Sequence, residues 1–321
     1  MKAKVSTDLN DTHISDEAMS SVQDRRLRQL TEGCRELADI VNKSRPEGVE
    51  MYYSDQMDYI YCIVAKASCT SWKSTLLMLT GKINKFQRPE QMSFAMAHEL
   101  AKTYLNHVGL LRSAESRKWR FDDYFTFMFV REPLERLLSA YRFVFLDLPF
   151  VFKRMDIPIV RKYRPREYKA SVKRYNVTFA EFVRWILDEH AAGHALNRHW
   201  IPQYKLCRVC QTRYDFIGHY ETLHKDADYV VDKLKSRLRN AELRRRVDHV
   251  KFQPDNGRRK SSELLQQMYA SVPAAQVQAL YTNCMPSTTR FSDLNTQTSL
   301  DLLSPLLCVG LPSMAIMPPH P

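Results

Sequence analysis

Two short, almost wholly apolar runs constrain this chain more than any other feature: Tyr59-Ile-Tyr-Cys-Ile-Val64 and Tyr124-Phe-Thr-Phe-Met-Phe-Val130. A β-favouring run with no polar face has to be covered on both sides, which is the condition of a strand in a parallel sheet. Each run leads into a helical pattern. After the first, Trp72, Leu76 and Leu79 share one face of a helix over about 71–80, with Gly81 as its stop. After the second, Glu132-Pro133 suits a first helical turn, and Leu134, Leu137, Leu138, Tyr141 and Phe145 form an apolar stripe. Further helices fit 179–189 and 222–238, with a short strand near 214–217. Strand–helix alternation of this kind predicts an α/β fold: a central parallel sheet flanked by helices.

Outside that pattern, residues 1–50 read as an N-terminal stem or helical segment outside the core, with helical periodicity near 22–41. Residues 51–281 read as the folded domain, within which the basic, Pro-punctuated stretch 151–176 reads as a long loop. From 282 to 321 the text is rich in Ser, Thr and Pro and is expected to be a divergent, poorly ordered tail. The most apolar stretch, Leu302–Met317, is broken by Pro305 and Pro312 and falls short of the roughly 18–20 residues of a membrane span. The first residues show no apolar signal-peptide segment.

Charge adds a second constraint. The chain carries 48 Lys+Arg against 36 Asp+Glu, a formal +12. Two segments hold the excess, Lys153–Arg174 at +7 and Lys233–Lys260 at +8. A field concentrated like this favours a polyanionic partner, whether nucleic acid, an anionic membrane surface or an acidic polysaccharide. Each segment taken alone also fits a solvated helix face.

The two strand-to-helix turns carry the chemistry. The first reads Ala65-Lys66-Ala67-Ser68-Cys69-Thr70-Ser71-Trp72-Lys73. A turn after a parallel strand aims free backbone N–H groups and the positive end of a helix at one spot, and here lysines and hydroxyls join them. That is an anion site without the glycines of a Walker A loop. The plainer alternative is an N-capped helix with surface lysines. In the second turn Arg131 ends a central strand, where open α/β sheets bind ligands. It can clamp a phosphate, with Ser139 adding a bond from the helix, or it can simply pair with Glu132 or Glu135.

IVAKASCTSWKSTLLMLTG and FMFVREPLERLLSAYR resemble the 5′-phosphosulfate and 3′-phosphate loops of the Golgi carbohydrate sulfotransferases, in particular the chondroitin and dermatan 4-O-sulfotransferase and HNK-1 sulfotransferase group. His199-Trp200, Leu206-Cys207-Arg-Val-Cys210 and Tyr214–Leu223 resemble later blocks of that group in the same order, so the likeness covers about residues 50 to 281. The resemblance implies a P-loop-like sulfotransferase fold and 3′-phosphoadenosine 5′-phosphosulfate as co-substrate, with no metal. It implies that Lys66, Ala67, Ser68, Cys69, Thr70, Ser71, Trp72 and Lys73 hold the 5′-phosphosulfate, and that Arg131 and Ser139 hold the 3′-phosphate. Lys66 would stabilise the leaving phosphate, and His98, in Met96-Ala97-His98-Glu99, would be the catalytic base. The implied partner is an anionic glycan, a glycosaminoglycan or glycoprotein glycan, rather than nucleic acid. The implied location is the Golgi lumen or membrane.

The chain departs from that group in places. Ala65 replaces a proline, Cys207-Arg-Val-Cys210 replaces Cys-x-Pro-Cys, an unrelated tail follows Tyr281, and no N-terminal anchor is seen. An inactive paralogue, a non-enzymatic basic nucleic-acid-binding protein and a phosphoryl-transferring P-loop enzyme are the competing readings. Seven cysteines are too few for a disulfide scaffold at this length. Cys207 and Cys210 allow a local disulfide, two buried thiols, or half of a zinc site with His199 or His219; zinc lacks a second pair at finger-like spacing. His190-Ala-Ala-Gly-His194 reads as a loop. Asn10, Asn42 and Asn176 begin glycosylation-type triplets.

Overall fold

The computed structural model describes residues 16–36, 38, 49–149, 151–152, 154–254 and 264–280. The expected tail, the triplets at Asn10 and Asn42, and Cys284 and Cys308 lie outside the described residues. In chain order the elements are α1 (Asp16–Glu36), β1 (Met51–Ser54), β2 (Tyr59–Cys62), α2 (Cys69–Leu79), α3 (Phe94–Tyr104), β3 (Asn106–His107), α4 (Ala114–Asp123) and β4 (Phe125–Val130). There follow α5 (Pro133–Tyr141), a π-helical turn (Arg142–Asp147), α6 (Ile157–Tyr163), α7 (Phe179–Ala191), α8 (Gln203–Cys207) and β5 (Phe216–His219). The last are α9 (Leu223–Ser236), α10 (Ala241–Val247), α11 (Leu265–Tyr269) and α12 (Ala274–Ala279).

The sheet order is β3-β1-β2-β4-β5. β2, β4 and β5 are parallel, with Ile60 opposite Thr126 and Phe127 opposite Phe216. β1 runs antiparallel to both β2 and β3, so the sheet is mixed rather than wholly parallel. The reason is local: four residues, 55–58, join β1 to β2, and so short a link can only reverse the chain.

The apolar runs are buried as their patterns demand. Tyr59–Cys62 and Phe125–Val130 have every residue inside. Tyr61 stacks on Phe127 at 5.0 Å, and Trp72 packs on Phe129 and Phe252 at 4.8 Å each. On β5, a Cβ at Gly218 would stand 2.2 Å from the Phe129 ring, so only glycine lets β5 lie against it. Gly81, at φ 65°, closes α2 as its position after the apolar face predicts. A second apolar cluster gathers α5, the π turn, α6, α7, α11 and α12 around Phe182 and Trp200.

Four expectations change. The basic stretch 151–176 contains α6, whose Ile159 and Val160 are buried. His190 belongs to the last turn of α7 rather than to a loop. α1 is not outside the core: Met19 is buried, and the Gln23 amide pairs with both backbone groups of Ile217 (3.2 and 2.8 Å), acting as a sixth strand on the free edge of β5. Arg26 adds bonds to the Ile217 carbonyl (2.8 Å) and Asp226 (2.7 Å). Finally, Cys207 and Cys210 are neither paired with each other nor reduced. The disulfides are Cys62–Cys207 and Cys34–Cys210, which fasten the end of α8 to β2 and the turn after it to α1. Both sulfurs are therefore unavailable as zinc ligands.

Candidate active site

β2 and β4 are neighbours and parallel, so the turns at their C-terminal ends meet. The first turn is held in an unusual backbone. Lys66 (φ 71°) and Ser68 (φ 63°) both occupy the left-handed region, which non-glycine residues rarely adopt and which clusters at functional sites. Ser68 makes no side-chain cap, so the first-turn N–H groups of α2 stay open to a ligand, unlike those of an ordinary capped helix.

Arg131 begins the second turn. Its Nη1 donates to the Lys66 carbonyl at 3.3 Å, its Nε and Nη2 meet Glu135 at 3.4 and 3.3 Å, and its guanidinium lies 3.9 Å over the Tyr220 ring. The Arg–Glu pair read from the sequence is therefore present, and the same guanidinium also reaches the first turn. Gln203 fixes Arg131 from behind, accepting from its N–H at 3.0 Å and donating to its carbonyl at 2.8 Å. Arg136, fully buried one helical turn on, donates to the carbonyls of Ala65 (2.8 Å), Ile201 (2.8 Å) and Arg198 (3.1 Å). Ser139 is half-buried further along α5.

The eight residues of the first turn divide by side chain. Lys66, Ser68, Cys69 and Thr70 are half-buried at its rim. Trp72 is a core residue, so only its backbone belongs to the turn, and its N–H is spent on Ser68. Lys73 also points inward, 3.3 Å from Glu50 and 3.2 Å from His98 Nδ1. Ala67 and Ser71 are buried.

An ammonium group only donates, so His98 Nδ1 accepts from Lys73 and the imidazole proton sits on Nε2, facing Thr70 Oγ1 at 3.3 Å. Burial first, and then the Lys73 charge, pulls His98 down to about 4 and keeps it neutral. Burial pushes the Glu50 carboxyl up, but Lys73 and Arg198 more than offset this and hold it below its ordinary value.

An aromatic wall lines the other side. Phe94 lies 4.3 Å from the His98 ring and 5.2 Å from Phe143. Lys66 Nζ sits 3.8 Å over Phe143, and Phe143 and Phe152 flank His199. Desolvated cations, open N–H groups and hydroxyls gathered at one place, with Glu50 paired to Lys73 and Glu135 to Arg131, can hold a multiply charged anion.

Sequence reasoning missed Glu50, Arg136, Asn197 and Gln203. Arg136 lies within the second motif, but nothing in its local pattern distinguishes it from the surface arginines; the other three act across 23 or more residues or within an irregular loop.

Comparison with known proteins bears on this arrangement. Residues 49–283 match the family model described as "Sulfotransferase family". Carbohydrate sulfotransferase 14 of Mus musculus is 37% identical over 227 residues, 70% of this chain and 55% of that protein. Its Homo sapiens counterpart is 38% identical over 183 residues, 57% of this chain and 46% of that protein. Carbohydrate sulfotransferase 11 of Rattus norvegicus is 35% identical over 216 residues, 64% of this chain and 60% of that protein. The chain spans about half the length of the carbohydrate sulfotransferase 14 proteins it matches. No solved structure matches it. With its two anion turns joined at the ends of adjacent parallel strands and the family match running through both, the chain belongs to the sulfotransferase family.

Proposed function

We propose that this chain is a carbohydrate O-sulfotransferase that moves a sulfuryl group from 3′-phosphoadenosine 5′-phosphosulfate to a hydroxyl of a chondroitin- or dermatan-type glycan. The observation that carries this reading is the bond from Arg131 to the Lys66 carbonyl, which joins the two anion turns into one site. The donor's chemistry fits: open N–H groups of α2, Lys66, and the hydroxyls of Ser68 and Thr70 suit the phosphosulfate, and Arg131 suits the 3′-phosphate, with Ser139 beyond it. Lys66 balances charge that develops on the leaving phosphate, a role that needs no metal. His98, engaged at both ring nitrogens, holds Thr70 and Lys73 in place; its expected role as base would require one of those bonds to break.

For the acceptor, the basic segment around α6 supplies charge. Arg164 is tied to Glu181 and the Asn176 carbonyl, whereas Arg161 and Arg166 are exposed and form no ion pair among the described residues. Exposed arginines of this kind suit the carboxylates of a glycosaminoglycan. By the same resemblance we place the protein in the Golgi lumen, and two disulfides support an oxidising compartment. Among the described residues no helix is long and apolar enough to cross a membrane.

The test is transfer of radiolabelled sulfate from the donor to desulfated chondroitin, desulfated dermatan and neutral glycans, beside thermal shift with adenosine 3′,5′-bisphosphate. Label on the chondroitin-type chains, with KM rising as salt screens the basic segment, is the expected result. Label on neutral glycans alone overturns the anionic acceptor. Bisphosphate binding without transfer identifies an inactive paralogue.

A further inference from the structure

His199 shares the wall of the site with Lys66 and His98, and its two ring nitrogens differ in what they meet. Asn197 Oδ1 lies 3.0 Å from the backbone N–H of His199 and 2.7 Å from its Nδ1. A backbone N–H can only donate, so the Asn197 atom it meets is the amide oxygen, and the amide orientation is set. An amide oxygen can only accept, so the imidazole carries its proton on Nδ1. Nε2 is left with a lone pair, and it has no hydrogen-bond partner among the described residues. The ring itself is gripped by Phe143 and Phe152, at 5.7 and 5.2 Å between centroids, and it is half-buried. Arg136, through the carbonyls of Arg198 and Ile201, ties the loop that carries His199 to the first anion turn. His98 has the opposite tautomer, with its one lone pair taken by Lys73.

We propose that His199 Nε2 is the base that takes the proton of the acceptor hydroxyl, with Asn197 as the positioning residue that fixes its tautomer. The assignment rests on the sulfotransferase reading. In the step, the acceptor oxygen forms a bond to sulfur while the bond from sulfur to the bridging phosphate oxygen breaks. Adenosine 3′,5′-bisphosphate leaves with that electron pair, and the hydroxyl proton passes to Nε2 and then to water. A base oriented by a third group is the arrangement that activates hydroxyl nucleophiles elsewhere. Electrostatics agree: burial, followed by the charges of Lys66, Arg198 and Arg136 and by His98, depresses the imidazole to about 3, so Nε2 is unprotonated before the acceptor arrives. A bound donor anion beside Lys66 opposes those cations and raises the basicity of His199 when transfer occurs.

The experiment measures radiolabelled transfer to desulfated chondroitin together with calorimetric binding of adenosine 3′,5′-bisphosphate, for the wild type and four variants. His199→Ala should lower kcat by about 10²–10⁴-fold, the span of general-base contributions, with bisphosphate affinity held within about twofold. Free imidazole should restore part of that rate. His199→Gln fills the same space without a proton-accepting nitrogen and should be as slow. Asn197→Ala should lose rate, whereas Asn197→Asp, which keeps an accepting oxygen, should recover most of it. Wild-type transfer with His199→Ala or His199→Gln running within about threefold of it, far short of a lost base, removes the assignment alone. Slow variants that imidazole does not rescue and that also lose bisphosphate affinity mark His199 as a packing residue and remove the assignment too. A wild type that labels no glycan removes the sulfotransferase reading, and this role with it.

Discussion

Arg136 Nε donates to the Ala65 carbonyl at 2.8 Å, and through that bond the helix of the second anion turn holds the start of the first. Ala65 stands where the resembled sulfotransferases carry proline, so no ring fixes φ there, and the bond from α5 anchors its carbonyl. Replacing Arg136 by Met orphans two buried carbonyls, those of Ala65 and Ile201, at about 1–3 kcal/mol each, and frees the part-buried carbonyl of Arg198. Urea denaturation of Arg136→Met should show a loss of at least about 2 kcal/mol, and an unchanged midpoint would contradict the role.

Arg131→Ala should weaken adenosine 3′,5′-bisphosphate binding by about 1.5–3 kcal/mol, the range for a hydrogen bond to a charged group. Arg131→Lys should not rescue it, because lysine lacks both the fork that reaches the Lys66 carbonyl and the plane that lies on Tyr220. Calorimetry checks both, and equal affinity in all three proteins would detach Arg131 from the nucleotide.

Lys66→Ala should lower kcat more than it lowers bisphosphate affinity, since charge on the leaving phosphate grows in the transition state. Steady-state kinetics decide this: a change confined to KM reassigns Lys66 to ground-state binding.

The disulfides join residues 145 and 176 positions apart. Cross-links closing such long loops stabilise by about 2–5 kcal/mol. Cys34→Ser and Cys62→Ser should each lower the guanidinium midpoint, and reduction of the wild type should do the same. A midpoint indifferent to dithiothreitol would contradict this.

Stability should peak near neutral pH. Burial depresses His98 to about 4 and His199 and His219 to about 3, against an ordinary 6.5. Below about 6.5 the unfolded chain takes up protons that the folded chain refuses, so stability falls towards pH 3–4. Burial raises Glu132 from 4.5 to about 8, so the folded chain holds an extra proton between those values and stability falls as pH rises through that window. Three histidines outweigh this up to about 6.5, and Glu132 governs above it. Glu132→Gln should flatten the alkaline limb in a series of thermal melts from pH 5 to 9, and an unaltered limb would remove Glu132 as its source.

The sequence by itself determined the buried runs of β2 and β4, the helices that follow them, Gly81 as a stop, and the position of the two strand-to-helix turns. Each is written in neighbouring residues: an apolar run needs cover on both faces, and a turn before a helix exposes N–H groups, whatever the rest of the chain does. Only the tertiary structure decided which atoms meet. Cysteines three residues apart found partners 145 and 176 positions away, because β2 and α1 bring Cys62 and Cys34 beside them. A glutamine on α1 completed the sheet edge, and Lys73, a charged residue near the start of α2, turned inward to Glu50 and His98. The two histidines show the reason most plainly. As residues they are identical, and their tautomers differ because an ammonium stands beside one and an amide oxygen beside the other, a contact that no periodicity encodes.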